Sequence, residues 1–194
     1  MMPPNHKWFL ILFSILFIIL LGVSFFVPHL TLKLIIGFSF VFLIKIKNLD
    51  SNLNQLQGRI FNAFIFIYPV LATGIKVLEK YWITGYQNPI FHIQINQLEH
   101  FMGGVALGVV LLPLIITTLN KVTFKEKMII FIPVVSFFSL IYELSSYYIF
   151  YSPTQSYSYL LYADTMHDLS LNIAGALLAF ILLVGLVEIR KKGN

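Results

Sequence analysis

The chain has 194 residues, of which 58% are hydrophobic and only 11% are charged. Soluble domains carry about a quarter charged residues, so this composition excludes an ordinary soluble domain and favours a membrane protein. The absence of cysteine excludes a disulfide framework, a thiolate metal site and a cysteine nucleophile. The net charge of +5 comes without a basic face with interleaved aromatics. We therefore expect no nucleic-acid partner and interpret the excess of Lys and Arg as a signal of membrane orientation.

Six apolar runs follow one another along the chain, measured against the roughly 20 residues that a helix needs to cross a bilayer. The first run ends before Pro28 and lacks a small-x-small cleavage site, so we expect a retained anchor. The second run is short for a complete span and would have to tilt or thin the bilayer locally. The predicted transmembrane helices lie at about residues 8–27, 30–44, 60–78, 98–119, 128–150 and 169–187, within a single transmembrane domain of residues 1–194.

The distribution of Lys and Arg predicts the orientation of these spans. With six spans and a cytoplasmic N-terminus, only Lys33, Lys76 and Lys80 of the 13 Lys and Arg residues fall outside the cytoplasm. Positive residues prefer cytoplasmic loops. We therefore predict an all-α, polytopic helix bundle in a prokaryotic-type cytoplasmic membrane, with both termini in the cytoplasm.

Four ionisable residues are predicted to lie at one level near the outer ends of the last three helices. His100 lies where the fourth helix enters from outside, and Asp164 and Asp168 precede the sixth. Glu143 lies about 10 Å below the outer end of the fifth helix. A carboxylate at membrane depth costs roughly 2.5 to 3.5 kcal/mol, so Glu143 is the most informative of the four. The topology predicts that these residues share one extracytoplasmic site.

Local spacing extends the predicted site. Asp164, Asp168 and Asn172 follow one another at four-residue steps, which places them on one face of a helix, and His167 points away from that face. The fifth helix carries a polar stripe at steps of three and four residues, which comprises Ser136, Ser139, Glu143, Ser146 and Tyr147. The supporting residues are therefore Asn96, one turn before His100, with Ser146, Tyr147 and Asn172.

Small residues predict close helix packing beside the site. Gly104 and Gly108 form a small-xxx-small pair on the fourth helix, and Gly175 lies close to the Asp168 face of the sixth. Such residues let helices approach closely in lipid. We assign the three glycines to packing.

Each of these polar residues could also have a structural role that involves no functional site. Glu143 could be neutral or hydrogen-bonded to hold helices together, and His100 could lie at the membrane interface. Asp164 could belong to a loop, and Asp168 could be the N-cap of the sixth helix. Glu99 is expected to face solvent.

The chemistry open to such a group follows from its ligand types. One imidazole and two or three carboxylates suit one divalent metal ion, with Zn, Mn, Mg or Ca all allowed. Without a metal, paired carboxylates offer acid–base chemistry, and a proton or ion relay is the third option. No HExxH motif or phosphate-binding glycine loop occurs. The candidate catalytic residues are His100, Glu143, Asp164 and Asp168, and the candidate metal ligands are His100, Glu143 and Asp168.

At these residues the sequence resembles the YjdF-like small membrane proteins, whose pattern is D-[RK]-x-x-H-F-x-x-G, Y-E-L-x-E-W and W-D-T-Q-x-D with a following G-A. The corresponding stretches here are EHFMGG, YEL and DTMHD, followed by GA. The stretch DLSLNIAG resembles the D-x-x-x-N-x-x-G of VanZ-like proteins. Asn96 and Gln97 replace the acidic–basic pair, and Ser146 and Ala163 also depart from the pattern. The matching residues are His100, Phe101, Gly103 or Gly104, Tyr142, Glu143, Leu144, Asp164, Thr165, Asp168, Asn172, Gly175 and Ala176.

The resemblance implies a polytopic membrane protein, and its VanZ-like side implies a role in the cell envelope, through an association with glycopeptide resistance. Our leading hypothesis is a site that binds an amphiphilic envelope lipid or lipid-linked glycan and could also modify it chemically. The alternative is a non-catalytic membrane scaffold or partner subunit whose polar cluster only locks helices together. An ion- or proton-coupled transporter is disfavoured, because the inner halves of these helices carry almost no ionisable residues.

Overall fold

In a computed structural model, the chain is described over residues 4–24, 28–78, 89–119, 121–146 and 159–185. No β-strand occurs in these ranges, and the predicted all-α class is confirmed. The α-helices are, in chain order, α1 (Pro4–Ser24), α2 (Pro28–Ile46), α3 (Gln55–Leu78), α4 (Pro89–Thr118), α5 (Phe124–Ser146) and α6 (Tyr159–Phe180). A 3₁₀-helix, Leu49–Asn52, lies between α2 and α3, and a π-helical turn, Ile181–Gly185, follows α6.

Within the described residues, most of the helices are long and apolar enough to cross a membrane. The segments are Lys7–Ser24, Gln55–Leu78, Gln97–Thr118, Phe124–Ser145 and Thr165–Gly185. In α2 the apolar part is shorter, Leu34–Ile46. Large apolar side chains such as Ile18 and Ile129 stand exposed on the outer faces of these helices, where lipid would cover them. This arrangement is compatible with the predicted multi-pass membrane protein.

Two of the helices begin one turn before the predicted apolar runs, because a capping pair precedes each run. At α3, the Gln57 N–H donates to Asn54 Oδ1 at 2.9 Å and the Asn54 N–H donates to Gln57 Oε1 at 3.1 Å. At α5, the Thr123 N–H donates to Glu126 Oε2 at 2.7 Å and the Glu126 N–H donates to Thr123 Oγ1 at 3.4 Å. Each reciprocal pair satisfies N–H groups that a helix start leaves without intrahelical partners.

The chain divides into two compact units, Met1–His92 and Ile93–Asn194. In the first unit, phenylalanine rings pack α1, α2 and α3 around the buried Phe13. The centroid of the Phe13 ring lies 4.4 Å from that of Phe38 on α2 and 5.6 Å from that of Phe66 on α3. Ring pairs at such distances contribute about 0.5 to 1.5 kcal/mol beyond the burial of their area. Aromatic packing therefore joins the three helices.

A buried lysine closes one end of this first unit. The Lys45 Nζ donates to Asp50 Oδ2 at 2.5 Å and to Asn62 Oδ1 at 2.7 Å. The same ammonium lies 4.2 Å from the centroid of the Phe9 ring and 5.3 Å from that of Phe61, within the range of a cation–π interaction. Lys45 follows the predicted second span, residues 30–44. The structure makes it part of the last turn of α2, where one side chain joins α1, α2, α3 and the 3₁₀-helix.

Replacement of Lys45 by methionine tests this contact. The methionine keeps an unbranched apolar stem but removes the donor to Asp50 and Asn62, so we expect a loss of about 2 kcal/mol in the free energy of unfolding. Lys47→Met is the matched control, because Lys47 is exposed and surface changes cost less than about 0.5 kcal/mol. Reversible unfolding in detergent micelles measures both. Equal losses in the two variants would show that the Lys45 contact contributes nothing specific.

In the second unit, α4 and α6 run parallel in direct backbone contact. A Cβ added at Gly104 would overlap the backbone carbonyl of Asn172, and a Cβ added at Gly175 would overlap that of Phe101. Farther along, a Cβ at Gly108 would lie 2.9 Å from the carbonyl oxygen of Ala176. All three separations are below a normal side-chain contact. Glycine therefore permits the approach, and the structure places the three predicted packing glycines at this one contact.

Helix α5 runs antiparallel to α6 and packs against it through aromatic side chains. The ring centroid of Phe180, near the end of α6, lies 5.4 Å from that of Phe124 and 4.6 Å from that of Phe131. Both partners lie in the first half of α5. The second half of α5, which carries Glu143, is therefore directed toward the beginning of α6.

Candidate functional site

Three ionisable side chains, each from a different helix, meet in the second unit. His100 of α4 lies between Glu143 of α5 and Asp168 of α6. Its Nδ1 is 3.5 Å from Glu143 Oε1, and its Nε2 is 3.2 Å from Asp168 Oδ2. The side chains are only 10%, 11% and 7% exposed, respectively. Both nitrogens of one imidazole thus face a carboxylate in a nearly buried cluster.

The glycine contact explains why His100 and Asp168 meet. His100 lies one turn before Gly104, and Asp168 lies one turn before Asn172, whose carbonyl touches Gly104. Because α4 and α6 are parallel, residues one turn earlier on each helix face one another at the same level. The backbone contact therefore sets the spacing of the imidazole and one carboxylate, and α5 supplies the other carboxylate.

Each of the three residues is continued, on the same side of the cluster, by a long run without charged side chains. Residues 101–120 follow His100, residues 169–187 follow Asp168, and residues 128–142 precede Glu143. Because α5 runs antiparallel to the other two helices, the three runs extend in the same direction from the cluster.

No lysine or arginine lies between Lys80 and Lys121, or between Lys127 and Arg190. Helices α4 and α6 therefore carry none, and the α5 lysines are in its first turn, at the opposite end from Glu143. A neutral imidazole donates from one nitrogen and offers a lone pair from the other. It can therefore donate a hydrogen bond to only one of the two carboxylates that face it.

Further polar side chains lie one turn from the cluster. Ser139, one turn before Glu143, is buried, and within the described ranges its Oγ has no hydrogen-bond partner. Ser136, by contrast, donates to the Ile132 carbonyl at 2.9 Å. Asn172, one turn after Asp168, is buried as well. The predicted polar stripes on α5 and α6 thus include buried members next to the cluster.

Some predicted residues fall outside what the structure describes. These are the side chains of Asn96, Ser146 and Asp164, and the whole of Tyr147. The triad of His100, Glu143 and Asp168 is complete without them. One ligand atom from each of these three residues lies within 4.8 Å of the other two, so the group could hold a single metal ion.

The structure excludes one alternative and contradicts one expectation. The alternative that Asp168 is the N-cap of the sixth helix is excluded, because α6 begins at Tyr159 and continues through the polar residues that precede the apolar run. Glu99, expected to face solvent, is only 7% exposed. The physical reason is that α4 is buried on opposite faces: Ala106, on the face of Glu99, and Gly108, on the far side, are both buried.

A scan against protein-family models found no match to the chain, and neither the curated proteins nor the solved structures contain a match.

Proposed function

We propose that the protein is a six-span integral protein of a prokaryotic-type cytoplasmic membrane, with both termini cytoplasmic and the cluster near the outer leaflet. Its cluster of His100, Glu143 and Asp168 binds and chemically modifies an amphiphilic envelope lipid or lipid-linked glycan. The observation that supports this is the convergence of one imidazole and two nearly buried carboxylates from three apolar helices. Ionisable groups inside such helices are costly and commonly mark functional sites.

The position of the cluster favours an amphiphilic substrate. Long uncharged runs extend from the three residues in one direction only along the bundle, which agrees with a cluster near one membrane interface in the topology that we propose. A lipid at that depth presents its polar headgroup to the cluster while its chains stay among apolar side chains.

The cluster can move a proton at a bound headgroup. His100 is within reach of two carboxylates, so a proton taken up by one of its nitrogens can be balanced by the carboxylate at the other. This is the arrangement of a general base that is oriented by an acid partner. His100 and Glu143 would act as acid–base groups or as ligands of an ion at the headgroup, and Asp168 would complete the cluster.

The packing of the helices argues against a cluster that serves only to join them. Helices α4 and α6 already touch through their backbones at Gly104 and Gly175, and α5 packs on α6 through Phe131 and Phe180. A buried ion pair can often be replaced by apolar residues without loss of stability. Adhesion of these helices therefore does not require the acids.

The lipid composition of cells tests the proposed function. Cells without the gene would be complemented with wild type, His100→Ala or His167→Ala, and total lipid extracts would be compared by mass spectrometry. We expect a lipid class that changes on deletion to be restored by wild type and by the control His167→Ala, whose side chain is exposed. His100→Ala should not restore it. Full restoration by His100→Ala, or lipid extracts that do not change on deletion, would contradict the proposal.

A further inference from the structure

We propose that His100, Glu143 and Asp168 bind a single Zn²⁺ ion, an assignment that rests on the proposed function of the same cluster. The one structural fact behind it is that a ligand atom from each of the three residues lies within 4.8 Å of the others, at a junction of three helices. Three protein ligands with one remaining position are the usual composition of a catalytic zinc site.

The burial of the donor atoms is the first argument. The side chains of His100, Glu143 and Asp168 are at most 11% exposed, and they come from three different helices. Buried carboxylates in proteins are paired or coordinate metals. A divalent cation binds an imidazole and two carboxylates as a common ligand set.

The ligand types favour zinc over calcium and magnesium, and the metal analysis below decides between zinc and manganese. Calcium takes six to eight oxygen ligands, and magnesium prefers oxygens with several retained waters. A site with one imidazole nitrogen, two carboxylate oxygens and no thiolate suits zinc, which accepts nitrogen and oxygen in tetrahedral geometry. Because cysteine is absent from the chain, a thiolate-bound copper or iron–sulfur centre is excluded.

The geometry agrees with a small tetrahedral site. Zinc–nitrogen and zinc–oxygen bonds of about 2.0 to 2.1 Å imply ligand-to-ligand distances of about 3.3 Å. The His100 Nε2 to Asp168 Oδ2 distance is already 3.2 Å. Glu143 Oε1 lies beside Nδ1, the other nitrogen of the ring. A shared ion would draw a Glu143 oxygen toward Nε2 and Asp168, from a separation within 4.8 Å, by rotation about the side-chain torsions of Glu143.

An independent observation concerns the fourth coordination position. Ser139 is 3% exposed, and among the described residues its hydroxyl oxygen has no hydrogen-bond partner. It lies one turn from Glu143 on the same face of α5. Burial of a hydroxyl without a partner costs about 1 to 3 kcal/mol. A water bound at the fourth position of the metal would give this hydroxyl a partner, so Ser139 is assigned to the metal-bound water, with no direct bond to the metal.

Metal analysis of the full-length protein tests the assignment. The protein would be purified in detergent without a polyhistidine tag, and its zinc, manganese, iron, magnesium and calcium would be measured by mass spectrometry. We expect about one zinc per chain in the wild type and in His167→Ala, and a loss of at least fivefold in His100→Ala. Replacement by Co²⁺ should give the strong visible absorption of a tetrahedral site. Stoichiometric zinc in His100→Ala would overturn the assignment.

Two further variants keep the test independent of folding. Asp168→Asn preserves the shape of the side chain and should weaken Zn²⁺ binding more than about 100-fold, since even partners outside the ligand set contribute 10- to 100-fold. Ser139→Ala should retain the zinc but change the Co²⁺ spectrum. A wild-type protein that neither contains zinc nor binds added Zn²⁺ would refute the zinc assignment alone. Zinc binding without any change in cellular lipids would instead refute the proposed function and leave the metal site intact.

Discussion

Replacement of Gly104 by alanine is expected to destabilise the second unit severely. The added Cβ would overlap the backbone carbonyl of Asn172, and a backbone cannot turn away as a flexible side chain can. Overpacking costs about 1 to 3 kcal/mol where side chains can adjust, so we expect at least about 3 kcal/mol here. For a chain of this length that corresponds to a fall of roughly 10 °C in the thermal midpoint. Thermal unfolding in detergent, followed by loss of monodisperse protein, measures it.

Gly37→Ala is the control for this experiment. A Cβ at Gly37 meets nothing within 4 Å. Because alanine has a higher helix propensity than glycine, the substitution should leave the free energy of unfolding unchanged or raise it by up to about 1 kcal/mol. The two substitutions are chemically identical and should differ in sign. If Gly104→Ala were as stable as Gly37→Ala, the backbone contact between α4 and α6 would be refuted.

The double replacement Glu143→Gln/Asp168→Asn is expected to separate function from packing. Both changes keep the size of the side chain and remove its charge, while the glycine contact and the Phe131–Phe180 ring pair stay intact. We therefore expect a folded protein with a thermal midpoint within a few degrees of wild type. Its ability to restore cellular lipids should fall by at least about 100-fold, the lower range for loss of general acid–base catalysis.

The control is Glu126→Gln, which removes a carboxylate from the same helix. Glu126 is exposed and bonds to the N–H of Thr123, and glutamine serves equally in such a capping pair. This variant should match wild type in both measurements. The scaffold hypothesis predicts the reverse for the double variant: the folded yield should drop, and lipid restoration should drop only in proportion to it.

Much of the fold could be predicted from the sequence, because an apolar run of bilayer length leaves little choice of secondary structure. The ends of the apolar runs predicted the ends of the helices less well. Because Asn54 and Thr123 cap them, α3 and α5 begin about one turn before their apolar runs. Helix α6 begins at Tyr159, also before its apolar run. Hydropathy measures which residues a membrane accepts, whereas backbone hydrogen bonding continues through polar residues. Helix ends therefore needed the capping signals as well.

The meeting of His100, Glu143 and Asp168 was predictable for a topological reason. In a multi-pass membrane protein, each span runs antiparallel to the next one along the chain. The start of α4, the end of α5 and the start of α6 are therefore expected on the same side of the membrane. Distances could not be predicted, because they depend on how closely the helices approach. The burial of Glu99 and Lys45 was missed for a related reason: a charged residue at a helix end is usually solvated. Only packing partners from other segments reverse that expectation.

The contact between α4 and α6 has a consequence for how the site could diversify. No side chain separates these two backbones at Gly104, so the spacing of His100 and Asp168 cannot be adjusted by changing the volume of a residue between them. The described contacts of α5 with α6, in contrast, are made by side chains such as Phe131, which tolerate substitutions of similar volume. Substitutions in α5 should therefore change the selectivity for one headgroup or ion over another, while the distance between α4 and α6 stays constant.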